Sequence, residues 1–198
     1  MRIKVGVMGS ADDTLPADLA VVREKGVELG RVIAARGFCV LTGATTGLPY
    51  LVGKAAHEAG TLHIGISPAA NLREHMTAYR LPIDNCDALI YTGFGLKGRN
   101  VVLVRSCDIV LFIGGSMGSL NEFTIAHDEG RIIGCLTGTG GVADEAAQLL
   151  QTFPKRTGAQ VFHDPLAAHL LDACADALEQ SRKNEAERAS GSVREDGN

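Results

Sequence analysis

Aromatic residues make up only 5% of this 198-residue chain, so few rings are on hand to stack against a base or a pterin; Tyr50, Tyr79 and Phe94 are the candidates. No window approaches the ~20 apolar residues of a membrane span, and no basic stretch followed by an apolar one opens the chain. The reading is a cytoplasmic protein with no membrane partner. The five cysteines are odd in number and widely spaced, without a C-x-x-C pair, which leaves neither a disulfide framework nor a zinc site and points to a reducing compartment. The six histidines show no ligand spacing, so no metal is expected. Lys and Arg are not clustered and the net charge is −4, which argues against nucleic acid, because a duplex is gripped by grouped cations that release counterions. There is no G-x-S-x-G elbow and no convincing Ser-His-Asp set.

Glycine is the residue in excess, with 24 copies against a usual share of ~7%. Short apolar runs such as IKVGVMGS (3–10), FCVLTG (38–43), TLHIGIS (61–67), DIVLFIGG (108–115) and RIIGCL (131–136) alternate with helical patterns at 16–37, 51–60, 99–107, 119–130, 142–153 and 165–180. ALIYTG (88–93) reads as a short strand or a loop edge, and AQVFH (159–163) as a last strand. Near-continuous apolar strands alternating with helices predict a parallel sheet covered on both faces. The expected fold is α/β, a Rossmann-like three-layer sandwich with a doubly wound, mostly parallel sheet. One domain is expected over 1–180. Residues 68–87 read as a long loop with a short helix near Leu72 to Tyr79, and 181–198, poor in apolar residues, as a disordered tail.

Three glycine-rich turns stand at strand ends: MGSADD, TGATTGLPY and IGGSMGSLNE. Missing Cβ atoms there leave backbone amides open beside a helix N-terminus, the geometry that binds phosphate. Ligands of such sheets sit beyond the carboxyl ends of the strands, so all three turns are expected on one rim. The phosphate candidates are Gly9 and Ser10, then Gly43, Thr45 and Thr46, then Gly114, Gly115, Ser116, Met117, Gly118 and Ser119. Ser119 and Glu122 have the S-x-x-E spacing of a capping box; the same spacing also puts a carboxylate beside a phosphate-sized nest, placed to take a proton from water. Arg99 and Asn100 are expected to open the preceding helix, where a cation is mildly unfavourable without an anion. GFGLKG (93–98) lacks the acid of a dinucleotide fingerprint, and GLPYLVGKA (47–55) has Ala55 where a Walker A loop needs Ser or Thr.

GG-x-x-G-S-x-x-E (114–122), GRN (98–100) and GS (9–10) together resemble the LOG-like family over roughly residues 1–155. That family includes cytokinin riboside 5′-monophosphate phosphoribohydrolases and proteins long labelled "possible lysine decarboxylase". The resemblance implies that Gly114, Gly115, Gly118 and Ser119 bind a nucleotide phosphate, that Glu122 and Arg99 serve the glycosidic bond, and that the protein is a homodimer with sites near the interface. Ile113 stands where the family has proline, Ser119 where it has threonine, and Arg99-Asn100 where it has Arg-Lys. The GRN form is similar to a sister branch that includes molybdenum-cofactor carrier proteins. Two functions follow: hydrolysis of a nucleoside 5′-monophosphate to base and ribose 5-phosphate, or non-catalytic carriage of a phosphorylated ligand such as a nucleotide or molybdopterin. A pyridoxal decarboxylase needs a Schiff-base lysine with a pyridinium partner, a setting that neither Lys54 nor Lys97 has, and no cofactor is implied.

Overall fold

The computed structural model describes residues 1–11 and 19–192. Strands and helices alternate: β1 (Lys4–Gly9), α1 (Leu19–Ala35), β2 (Cys39–Thr42), α2 (Gly47–Glu58), β3 (His63–Ser67), α3 (Leu72–Thr77), β4 (Ala88–Tyr91) and α4 (Gly95–Arg105) form the first half. The second half is β5 (Ile109–Ile113), α5 (Met117–Asp128), β6 (Ile132–Leu136), α6 (Gly141–Thr152), β7 (Gln160–Asp164) and α7 (Ala167–Ser192). The sheet order is β4-β3-β2-β1-β5-β6-β7, and every neighbouring pair is parallel. This is the α/β, doubly wound architecture expected from the strand–helix alternation.

Alternation along the central strands sorts the two cores. Ile109, Leu111 and Ile113 of β5 point to one face, with Leu29 and Ile33 of α1, Leu48 and Val52 of α2, and Leu170 and Leu171 of α7. Val110 and Phe112 point to the other, with Leu103 of α4, Phe123 of α5 and Ala143 of α6. Phe112 meets Phe123 edge to face, with centroids 5.5 Å apart, a geometry that adds roughly 0.5–1.5 kcal/mol beyond simple burial. Both sides of each central strand are thus apolar, which is why those strands read as unbroken hydrophobic runs.

Three boundaries differ from expectation. Helix α4 begins at Gly95, four residues before Arg99, so GLKG is its first turn and Arg99 and Asn100 lie inside the helix rather than at its positive end. Helix α2 begins at Gly47, taking GLPY into the helix. The segment expected as a tail from 181 is helical to Ser192. The run Arg182 to Ala189 is polar but rich in the good helix formers Arg, Lys, Glu and Ala, and Lys183–Glu179 pairs at i,i+4 while Arg182 reaches Asp108 at 3.0 Å. Residues 193–198, the Pro16 start expected for the first helix, and Asp12 and Asp13 of the first loop lie outside the described residues.

Helices α1 and α2 approach closely because Gly30 has no side chain: a Cβ there would overlap the Val52 carbonyl oxygen and crowd Ala55. Gly30→Val is expected to force the helices apart and lower stability by about 1–3 kcal/mol or more, read as a fall in the urea midpoint. An unchanged midpoint would show that the interface yields freely.

Candidate functional site

Strands β2, β1 and β5 are adjacent, so the three glycine-rich turns meet at the carboxyl edge of the sheet, beside the point between β1 and β5 where the strand order reverses. The third turn is the most tightly held. Gly114 and Gly115 have φ of +61° and +112°, backbone that side-chain-bearing residues rarely adopt. The Gly114 amide donates to Thr139 Oγ1 at 2.8 Å and the Gly115 amide to Ser10 Oγ at 2.9 Å. Their carbonyls accept from Ala143 and Val142 at the start of α6, at 3.0 and 3.2 Å. All four polar groups of the pair are therefore engaged internally.

Neither glycine of this pair leaves a backbone polar group open to a ligand. Gly114 and Gly115 are anchors, and Ser10 is the β1-side fastener that receives one of them. Thr46 is a fastener too: its hydroxyl donates to the Ala11 carbonyl, while the Leu48 amide bonds the Ser10 carbonyl at 2.9 Å. The capping box is not formed either. Helix α5 starts at Met117 with Ser116 as its cap residue, and no side chain caps it. Ser119 lies inside the first turn and donates to the Gly9 carbonyl at 3.0 Å, tying α5 to β1. Glu122 consequently sits one turn further in, away from the Ser119 amide.

The first-turn amides of Met117, Gly118 and Ser119 have no carbonyl to bond within the helix. A Cβ built on Gly118 would meet nothing within 4 Å, so the helix is open on that side. Its positive end faces a cleft of about 180 Å³ bordered by Gly9, Gly43, Thr45, Ser116, Gly118 and Ser119, with Arg99 and Glu122 in its wall. Met117 turns outward and is 76% exposed. Lys97 and Asn100 also line the cleft; neither was among the expected site residues. The GRN motif had already placed Asn100 beside Arg99, and helical spacing from Arg99 was no guide to Lys97.

Arg99 and Glu122 are 6% and 7% exposed, with Nη1 and Oε1 4.0 Å apart. Arg99 owes its place to Gly43, where any Cβ would overlap the guanidinium. Burial holds the guanidinium below its usual pKa, with Glu122 opposing, and Nε is buried with no hydrogen-bond partner. Burial pushes the Glu122 carboxyl up to about 7, against the pull of Arg99 and Lys97. A desolvated cation whose Nε has no hydrogen-bond partner is costly; an anion placed at the open end of α5 would offset that cost.

The raised Glu122 carboxyl fixes a pH dependence. The folded chain holds this proton up to about pH 7 and the unfolded chain releases it near ~4.3, so the stability contributed by the protonated acid falls as pH rises between those values and levels off above. Glu122→Gln removes the effect. Between pH 5 and pH 8 the unfolding free energy of the variant is expected to gain about 2–3 kcal/mol on the wild type, given a folded value near 7. Parallel stability curves for the two proteins would contradict it.

The model of the SLOG cluster4 family matches residues 2–169. An uncharacterized protein from Archaeoglobus fulgidus is 31% identical over 108 residues, which cover 54% of this chain and 66%, just under two thirds, of that relative. Among solved structures, that of TM1055 superposes with a TM-score of 0.75 at 26% identity over 90% of this chain and 99% of its own. The molybdenum cofactor binding protein from the phototrophic bacterium Rippkaea orientalis reaches 0.65 at 25% identity, over 91% and 97% of the two chains. The molybdenum cofactor carrier protein of Chlamydomonas reinhardtii reaches 0.71 at 24% over 90% and 99%, a likeness of fold. The family match runs from ahead of β1 into α7 and takes in every turn around the cleft, so the chain belongs to the SLOG cluster4 family, a LOG-like family.

Proposed function

We propose that the cleft takes the phosphate end of a nucleoside 5′-monophosphate and that the protein hydrolyses its N-glycosidic bond, releasing free base and ribose 5-phosphate. The observation that carries this reading is the buried Arg99 guanidinium, without a protein hydrogen bond to Nε, set beside Glu122 at the open N-terminus of α5. At about 180 Å³ the cleft is below the ~300 Å³ of a small-molecule pocket, so it suits one end of a ligand, with the base lying toward Leu96 in its wall.

In this reading Ser116, Gly118 and Ser119 hold the phosphate through the first turn of α5, and Arg99 pairs with its charge. As the bond from C1′ to the base breaks, positive charge builds on the sugar, and a nearby carboxylate lowers the energy of that state. Water forms the new C1′–O bond; its proton passes to Glu122 and a proton from solvent reaches the departing base. A carboxyl that titrates near 7 is matched to this exchange at neutral pH. In this reading the protein acts in the cytoplasm, as its composition suggests, and as a homodimer, as the resemblance implies.

The second reading is a non-catalytic carrier of a phosphorylated ligand such as the molybdenum cofactor, favoured by the likeness to the molybdenum cofactor binding protein and by Asn100 standing where the resembled family has lysine. The phosphate contacts are shared by both readings.

Incubation with AMP followed by chromatography of the free base separates them. Hydrolysis by the wild type, at least ~100-fold slower in Glu122→Gln with AMP still bound, is the expected result. Gly43→Ala and Arg99→Ala are expected to weaken AMP binding about 10-fold or more by calorimetry, the scale of a lost charge-assisted hydrogen bond. Stoichiometric binding without free base transfers the protein to the carrier reading. No heat with any phosphorylated compound removes both.

A further inference from the structure

Asn100 follows Arg99 on α4 and is 4% exposed. One end of its side-chain amide lies 2.9 Å from the Leu96 carbonyl oxygen and 3.1 Å from Glu122 Oε1. Both neighbours accept hydrogen bonds, so that end is the NH₂ group, which donates to both. The oxygen end lies 2.9 Å from the terminal atom of the Asn121 side chain, whose amide is turned in concert so that its NH₂ group donates to the Asn100 oxygen. Asn100 is thereby gripped by its own helix through Leu96 and by α5 through Asn121. Its amide donor has one further direction, and the Glu122 carboxylate occupies it.

The charged groups acting on Glu122 are Arg99 and Lys97, both from α4. The described parts of the turns after β1 and β2 present uncharged Gly9, Ala11, Gly43 and Thr45 to the cleft. Arg99 stands 4.0 Å from Oε1, beyond hydrogen-bond distance, and the Lys97 side chain is exposed. Direction must therefore come from a neutral donor.

We propose that Asn100 is the positioning residue of Glu122: its amide fixes Oε1, leaves the second carboxylate oxygen to the cleft, and so governs when the carboxyl holds its proton. The inference rests on the proposed reading of the cleft only for its catalytic meaning; the hydrogen bond itself does not need a substrate. A lysine here would add a charge and keep Glu122 ionised. A neutral amide orients the group while leaving it free to exchange a proton near neutrality.

The test is a ¹³C NMR titration of side-chain carboxyls, with the Glu122 signal identified by its loss in Glu122→Gln. Asn100→Leu keeps the size and removes the donor, and its Glu122 midpoint is expected to rise by about one pH unit, because the bond favours the charged form. Asn100→Lys is expected to lower it. If Asn100→Leu does not fold, Asn100→Asp keeps the shape and is expected to raise the midpoint likewise. A lower melting temperature with an unmoved midpoint overturns the proposal and makes Asn100 a packing residue. Base release from AMP is followed in parallel: its absence in the wild type removes the hydrolytic reading, while the titration still decides the role of Asn100.

Discussion

Everything at the carboxyl edge of the sheet depends on the closed hydrogen bonding of Gly114 and Gly115. Their two amides go to Thr139 and Ser10 and their two carbonyls to the start of α6, so one dipeptide locks β5, the β1 turn, the β6–α6 turn and α6 together. Buried backbone groups must be paired, and here the pairing leaves the turn no freedom. The direction of α5 follows, and with it the aim of the amides that α5 leaves open. Ser119, bonded to the Gly9 carbonyl, holds the same helix from its own first turn.

That rigid frame supports a pair that does little for stability. Arg99 and Glu122 are both buried, yet at 4.0 Å they approach without closing a hydrogen bond, so desolvation is poorly offset by Coulomb attraction. The rise of the Glu122 carboxyl and the depression of the Arg99 guanidinium share one cause, burial. Groups perturbed in this way cluster at functional sites. The apolar cores on the two faces, through Ile113 on one side and Phe112 on the other, carry the stability that permits it.

The fold was legible because its signal is repeated: each central strand is apolar on both sides and each is followed by a helical period. That Arg99 and Glu122 would meet at one cleft was legible because both stand in short motifs. The functions of their neighbours were not. Ser119 satisfies the local spacing of a capping box, and only the three-dimensional approach of β1 to α5 reveals that its hydroxyl turns to Gly9. The bonds from Gly115 to Ser10 and from Gly114 to Thr139 join residues remote in sequence, and no local pattern records them. Helix α4 began earlier than its valines indicated because Gly95 to Gly98 reads as loop by composition. The continuation of α7 past residue 180 was hidden by its polarity, which hydrophobic periodicity takes for disorder.

Gly43 and Arg99 illustrate what such remoteness means for inheritance. The guanidinium occupies the volume where any side chain at 43 would begin. The two positions therefore cannot drift separately: a lineage that keeps the arginine must keep the glycine, and one that loses the arginine frees the glycine to change. Coupled variation at 43 and 99 among descendants of this chain would mark which of them had abandoned the buried cation.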